Sequence, residues 1–80
     1  MHWKVKDVKA RDDYTLALTF ANGERKVFDM KPYLDKGIFR ELRDMRMFKT
    51  ARVSFSSVAW DNEADLDPKA LYELGLPLKD

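Results

Sequence analysis

Four carboxylates at every second position, in the run Asp61-Asn62-Glu63-Ala64-Asp65-Leu66-Asp67, form the one pattern in this chain that could gather around a hard divalent cation such as calcium or magnesium. The stricter requirement fails. An EF-hand loop starting at Asp61 needs glycine in sixth place and glutamate in twelfth, where this chain has Leu66 and Tyr72. The simpler reading is that Asp67 caps a helix and the other acids enrich a solvated loop near the helix's positive end. No metal site is expected.

Nucleophilic catalysis needs an activated hydroxyl, thiol or amine with a base in reach, and the one histidine, His2, sits at a terminus prone to fraying. Ser54, Ser56 and Ser57 lie in no nucleophile elbow and fit a strand pair and its turn. Gly23, Gly37 and Gly75 stand singly, each where a turn or cap explains it, so there is no glycine-rich loop to cradle phosphate. Neither an enzymatic activity nor a cofactor is expected.

Two sets of residues suit binding better than chemistry. Lys36, Arg40, Arg43, Arg46, Lys49 and Arg52 cluster in sequence, and Arg40, Arg43 and Arg46 are the candidate nucleic-acid contacts. Glu41 and Asp44 interrupt that field, and the nearby Phe39 and Phe48 are needed for a core, so a solvated helix face competes with this reading. Among the amphipathic aromatics Trp3, Tyr14, Tyr33, Trp60 and Tyr72, the candidate partner surface is Trp3, Trp60 and Tyr72, residue types that recur at binding hot spots when exposed. In so small a chain the competing role for all of them is core. Strands at a sheet edge offer a partner a second route, by strand addition.

The elements that must position these residues follow from periodicity. Trp3 and Val5 alternate with lysines as a half-buried strand does, but Val8 and Ala10 fall on the opposite parity, which predicts a bulge near Lys6-Asp7. After the polar turn Arg11-Asp12-Asp13, Tyr14, Leu16, Leu18 and Phe20 alternate with small polar residues as a second strand. Asn22-Gly23 then predicts a hairpin. A three-residue loop with Gly23 in a bulge pairs Phe20 with Glu24 and aligns Phe28 with Leu16, gathering Leu16, Leu18, Phe20, Phe28 and Met30 on one face, whereas a two-residue loop would invert that layer. Pro32 ends the third strand and a single helical turn follows. Ile38, Phe39, Leu42 and Met45 recur at helical spacing, predicting a short amphipathic helix over 38–46 closed by Phe48.

Val53 and Phe55 alternate with their neighbours, and so do Val58 and Trp60, with a parity break between that fits either a short hairpin or a bulged strand. Asp67-Pro68 is a helix start, with Leu66 and Leu71 at staple positions, Gly75 the expected left-handed stop and Pro77 preventing continuation. The sum is a single α+β domain over residues 1–80: a small antiparallel sheet, in the order β-β-β-α-β-β-α, with short helices packed on one face.

With 80 residues, 45% hydrophobic and 36% charged, the chain has material for one domain, and most large apolar residues are expected in its core. The absence of cysteine and of any signal-peptide or membrane-spanning stretch points to the cytoplasm and to no membrane partner. The net charge is +1, yet residues 36–52 carry six basic and two acidic side chains and residues 53–80 carry two and six. The two segments either neutralise each other side by side, the simpler arrangement, or give the domain two oppositely charged faces.

The string Tyr14-x-Leu16-x-Leu18-x-Phe20-x-Asn22-Gly23-Glu24, followed by Phe28-Asp29, Gly37-x-Phe39-x-x-Leu42-x-Asp44, Val58-x-Trp60 and Asp65-Leu66-Asp67-Pro68-x-x-Leu71-Tyr72, resembles the bacterial family known as domain of unknown function 2442. The resemblance implies a small α+β fold, found alone or joined to a helix-turn-helix segment for which 80 residues leave no room. It also implies a half of a two-gene module that partners a toxin-like protein, and it carries over no catalytic residue. Many relatives have proline or glycine near the loop after Trp60, where this chain has Asp61, Asn62 and Glu63. The expected function is a non-enzymatic protein-interaction module with a protein partner, with a nucleic-acid-binding or transcription-regulatory accessory domain as the alternative. A homodimer is compatible with so small a core.

Overall fold

The computed structural model describes residues 3–78; His2 lies outside them. Strands β1 (Val5–Ala10) and β2 (Thr15–Phe20) pair antiparallel, and their register moves from Val5↔Phe20 to Asp7↔Thr19. The extra residue is Lys6, so the expected bulge is present. It turns Val5, Val8 and Ala10 toward one side despite their opposite parity in sequence.

The β2–β3 hairpin has the three-residue loop. Gly23 N–H donates to the Phe20 carbonyl and Phe20 N–H to the Glu24 carbonyl, with Gly23 at φ +89°. Leu16 therefore faces Phe28 of β3 (Arg25–Asp29), and Leu16, Leu18, Phe20, Phe28 and Met30 are buried as one layer. The same loop recurs twice without glycine. Tyr14 bonds back to Arg11, which bonds to Thr15; Glu63 bonds back to Trp60, which bonds to Ala64. Tyr14 at φ +63° and Glu63 at φ +71° take the left-handed place that Gly23 fills in the first loop. In all three loops the preceding Asp13, Asn22 or Asn62 accepts the N–H two residues on. β2 consequently begins at Thr15, one residue later than its alternation suggests, and Tyr14 reaches the core from the loop.

The expected helix over 38–46 is two short pieces. A 3-10 helix spans Gly37–Arg43, Asp44 is extended at ψ 114°, and the single-turn helix α1 spans Met45–Phe48. The break has identifiable causes. Asp44 caps α1 by accepting the Arg46 N–H, the Arg43 carbonyl accepts the Tyr14 hydroxyl, and Arg43 Nε donates to the Leu34 carbonyl at 2.8 Å. The hydrogen bonds fix the chain on either side of Asp44, and the apolar stripe is cut: Leu42 and Phe48 are buried while Ile38 is exposed.

Residues 52–59 resolve into a hairpin, β4 (Arg52–Ser54) and β5 (Ser57–Ala59), and β6 (Asp65–Leu66) adds to β5. A two-residue strand β7 (Leu76–Pro77) adds to β3. The structure is α+β, but with two sheets in place of one, ordered β1-β2-β3-β7 and β4-β5-β6. Val5 N–H donates to the Ser56 carbonyl between them, and Val58 and Trp60 share one core with the β2–β3 layer.

Helix α2 (Pro68–Leu74) starts as its sequence predicts, with Asp67 accepting the Lys69 N–H. Its end differs. Gly75 is extended at φ −71° and ψ 150°, so no left-handed stop exists there. Glycine is required by close approach instead: a Cβ at position 75 would lie 2.7 Å from the Leu71 carbonyl oxygen and 3.2 Å from Lys26 Cβ. Gly75→Ala is expected to lower stability by about 1–3 kcal/mol, as overpacking does; urea unfolding with an unchanged m-value checks it.

Candidate functional site

The least comfortable residues in the molecule sit at the tip of the β4–β5 hairpin. Ser54 pairs with Ser57, leaving Phe55 and Ser56 as a two-residue loop, and both have positive φ, 49° and 66°. That combination is the type I′ turn, which asparagine and glycine fill at little strain. A side chain with a bulky Cβ substituent costs about 1–2 kcal/mol in the same region. The usual compensation is burial, as at Tyr14, whose ring packs edge-on against Phe48 at 5.3 Å and whose hydroxyl bonds Arg43. Phe55 has no such return: it is 100% exposed.

The tip is nonetheless held firmly from below. Ser56 accepts the Val5 N–H at 2.8 Å, the Ser57 hydroxyl donates to the Leu66 carbonyl, and Val58 is fully buried beneath the turn. Arg52 pairs with Asp61 at 2.7 Å, and Val53 adds apolar surface on β4. The exposed Lys4 and Lys6 flank Val5 and give the surroundings a positive character. A rigid base under a bare aromatic ring can serve as a preorganised anchor for a pocket on another protein.

The three candidate partner-surface aromatics have different fates. Trp60 is fully buried, its indole N–H donating to the Phe48 carbonyl at 2.9 Å and its ring stacked on Phe48, so it cannot touch a partner. Trp3 is half-buried beside Lys69 of α2. Tyr72, one turn farther along α2, is half-buried edge-on to Phe20, with Lys26 Nζ 3.9 Å from its ring centre. Its hydroxyl donates to Glu24, and this hydrogen bond to a carboxylate, followed by burial, raises the phenol above its ordinary 10.0. The bond's contribution is complete below pH 10 and is lost as pH rises through the higher folded value. A tyrosinate absorbance titration of Glu24→Gln is expected to move this midpoint back toward 10.0.

The basic candidates separate as well. Arg40 and Arg43 share a face of the 3-10 helix. Arg43 is engaged with Leu34, and Arg46, beyond the break, lies 3.8 Å from Asp44. Charge neutralisation across the 36–52 and 53–80 segments includes Arg52–Asp61, while Lys49 turns to Asp12. In the acidic run, Asp61 holds Arg52, Asn62 binds the loop and Glu41, and Asp67 caps α2. Among the described residues no three His, Cys, Asp or Glu side chains come together as a metal cluster. Asp13 is held below its ordinary carboxylate value chiefly by the Thr15 hydroxyl, a loop-fixing contact. Phe55 is the residue that periodicity placed on a strand and left without a role. The available signal was its turn, which lacks the glycine or asparagine a tight hairpin favours.

Two antiparallel sheets on one core, with a fixed aromatic at a hairpin tip, define a small α+β domain with a surface suited to contact. The chain belongs to the family described as Protein of unknown function (DUF2442), whose model matches residues 5–76. No curated protein and no solved structure matches it. No helix among the described residues is long and apolar enough to cross a membrane.

Proposed function

We propose that this chain is a non-enzymatic protein-interaction module that anchors a partner protein through Phe55. It works in the cytoplasm as the regulatory or neutralising member of a pair. The observation that supports the reading is a fully exposed phenylalanine held in a strained I′ turn on a hydrogen-bonded base. Strain that brings no internal packing is characteristic of functional positions. The nucleic-acid alternative loses ground because Arg43 is engaged in the fold and Arg46 lies beside Asp44.

The test is capture from a lysate of the source organism with the tagged chain and with Phe55→Asn, each with and without nuclease, read by mass spectrometry. The wild type is expected to hold one dominant, nuclease-resistant protein that Phe55→Asn depletes about tenfold, a loss of roughly 1.4 kcal/mol. Equal capture by both forms overturns the role of Phe55. Partners that vanish with nuclease transfer the function to nucleic acid.

A further inference from the structure

The outer face of the four-stranded sheet carries a charge pattern that matches itself. Its residues have the opposite parity to the buried Leu16, Leu18 and Phe28, and the strand register arranges them in three rows. The middle row runs Lys9, Ala17, Val27 and Leu76 across β1, β2, β3 and β7. Ala17 and Val27 are half-buried and Leu76 is 66% exposed. The row on one side begins with Asp7 and ends with Arg25. On the other side Arg11, bonded to Thr15, leads to Asp29. All four charged residues are exposed, with acid and base at opposite corners.

We infer that this face is a self-association surface whose occupant is a second copy of the same chain. A two-fold axis along the middle row, between two such sheets, turns each outer row onto the other. Asp7 then meets Arg11 of the second copy, and Arg25 meets Asp29. Opposite corner signs also match when the axis runs along the strands. The apolar row decides between the two orientations, because only the first stacks Val27 on Val27 and Leu76 on Leu76. Its one like-charge contact is Lys9 on Lys9, at the β1 rim where a long side chain can bend into water. Four strands about 4.8 Å apart make a face at the low end of specific interfaces, so the dimer is in reversible exchange. The inference is independent of Phe55, which lies on the other sheet's hairpin.

Sedimentation equilibrium of the full chain over a wide concentration range tests it. The wild type is expected to pass from monomer toward dimer, more so at low salt. Arg25→Glu, which opposes two acids across the axis, and Leu76→Glu are each expected to weaken association about tenfold. Circular dichroism is expected to show unchanged folding, since both positions are at the surface. The double variant Arg25→Glu/Asp29→Arg keeps opposite signs in register and is expected to recover association. The inference is overturned by a wild type that stays monomeric throughout, or by a double variant no better than Arg25→Glu. A dimer lost in Phe55→Asn and kept in Leu76→Glu also overturns it, by placing the contact elsewhere.

Discussion

Trp60→Ala is expected to leave the domain largely unfolded at ambient temperature. An 80-residue domain has about 4–12 kcal/mol of total stability on the usual per-residue scale. Removing a fully buried tryptophan costs about 3–5 kcal/mol through lost transfer energy and the cavity left behind. The Phe48 carbonyl also loses the indole N–H that satisfies it, which adds about 1–3 kcal/mol unless water enters. Trp60→Phe retains a ring against Phe48 and Phe39 but loses that donor, so it is expected to fold with a clearly lower urea midpoint. Near-ultraviolet circular dichroism and urea titration distinguish the two. A native-like midpoint for Trp60→Ala would show that the ring does not hold the two sheets together.

The Trp60 result also bears on how binding data on this protein are to be read. Trp60 and Phe55 both end short apolar alternations in sequence, and both are residue types that suit an interface. The fold gives one to the core and the other to water. Loss of partner capture by a Trp60 variant therefore reports unfolding, whereas the same loss by a Phe55 variant reports contact, since no internal packing depends on that ring.

Elements whose residue chemistry and tertiary environment agree are legible in the sequence. The β2–β3 register follows from Asn22-Gly23 and one apolar layer, the Lys6 bulge from a parity slip, and the start of α2 from Asp67-Pro68. Where distant contacts override local preference, the sequence misleads. The stripe Ile38, Leu42 and Met45 has helical spacing, but bonds from Tyr14 and to Leu34 break it at Asp44. Gly75 reads as a left-handed cap, yet its glycine serves a close approach to the Leu71 carbonyl and Lys26, a constraint invisible along the chain. The loops at Tyr14 and Glu63 hide because their left-handed residue is not glycine; their trace is the Asp13 or Asn62 one place earlier. Asn62-Glu63 replaces the proline or glycine expected after Trp60 without changing the need for positive φ. The candidate site belongs to the same group: a turn that breaks the residue rule shows only that something is unusual at Phe55-Ser56, and exposure shows what.

The double variant Phe55→Asn/Ser56→Gly is expected to be more stable than the natural sequence by about 1–2 kcal/mol. Asparagine and glycine fit the I′ turn without the left-handed penalty, and an entirely exposed ring takes no burial energy with it when removed. Glycine's greater freedom in the unfolded chain offsets part of the gain. For a domain of this size each kcal/mol raises the thermal midpoint by about 4–8 °C, so differential scanning calorimetry resolves the change. Partner capture by the same variant is expected to fall, although the hairpin beneath it is better formed. Opposite movements of stability and binding would identify Phe55 as a residue maintained at the fold's expense. An equally stable or weaker variant that still captured the partner would instead make the strained turn a local accommodation between β4 and β5, and the anchor would have to be sought on another surface.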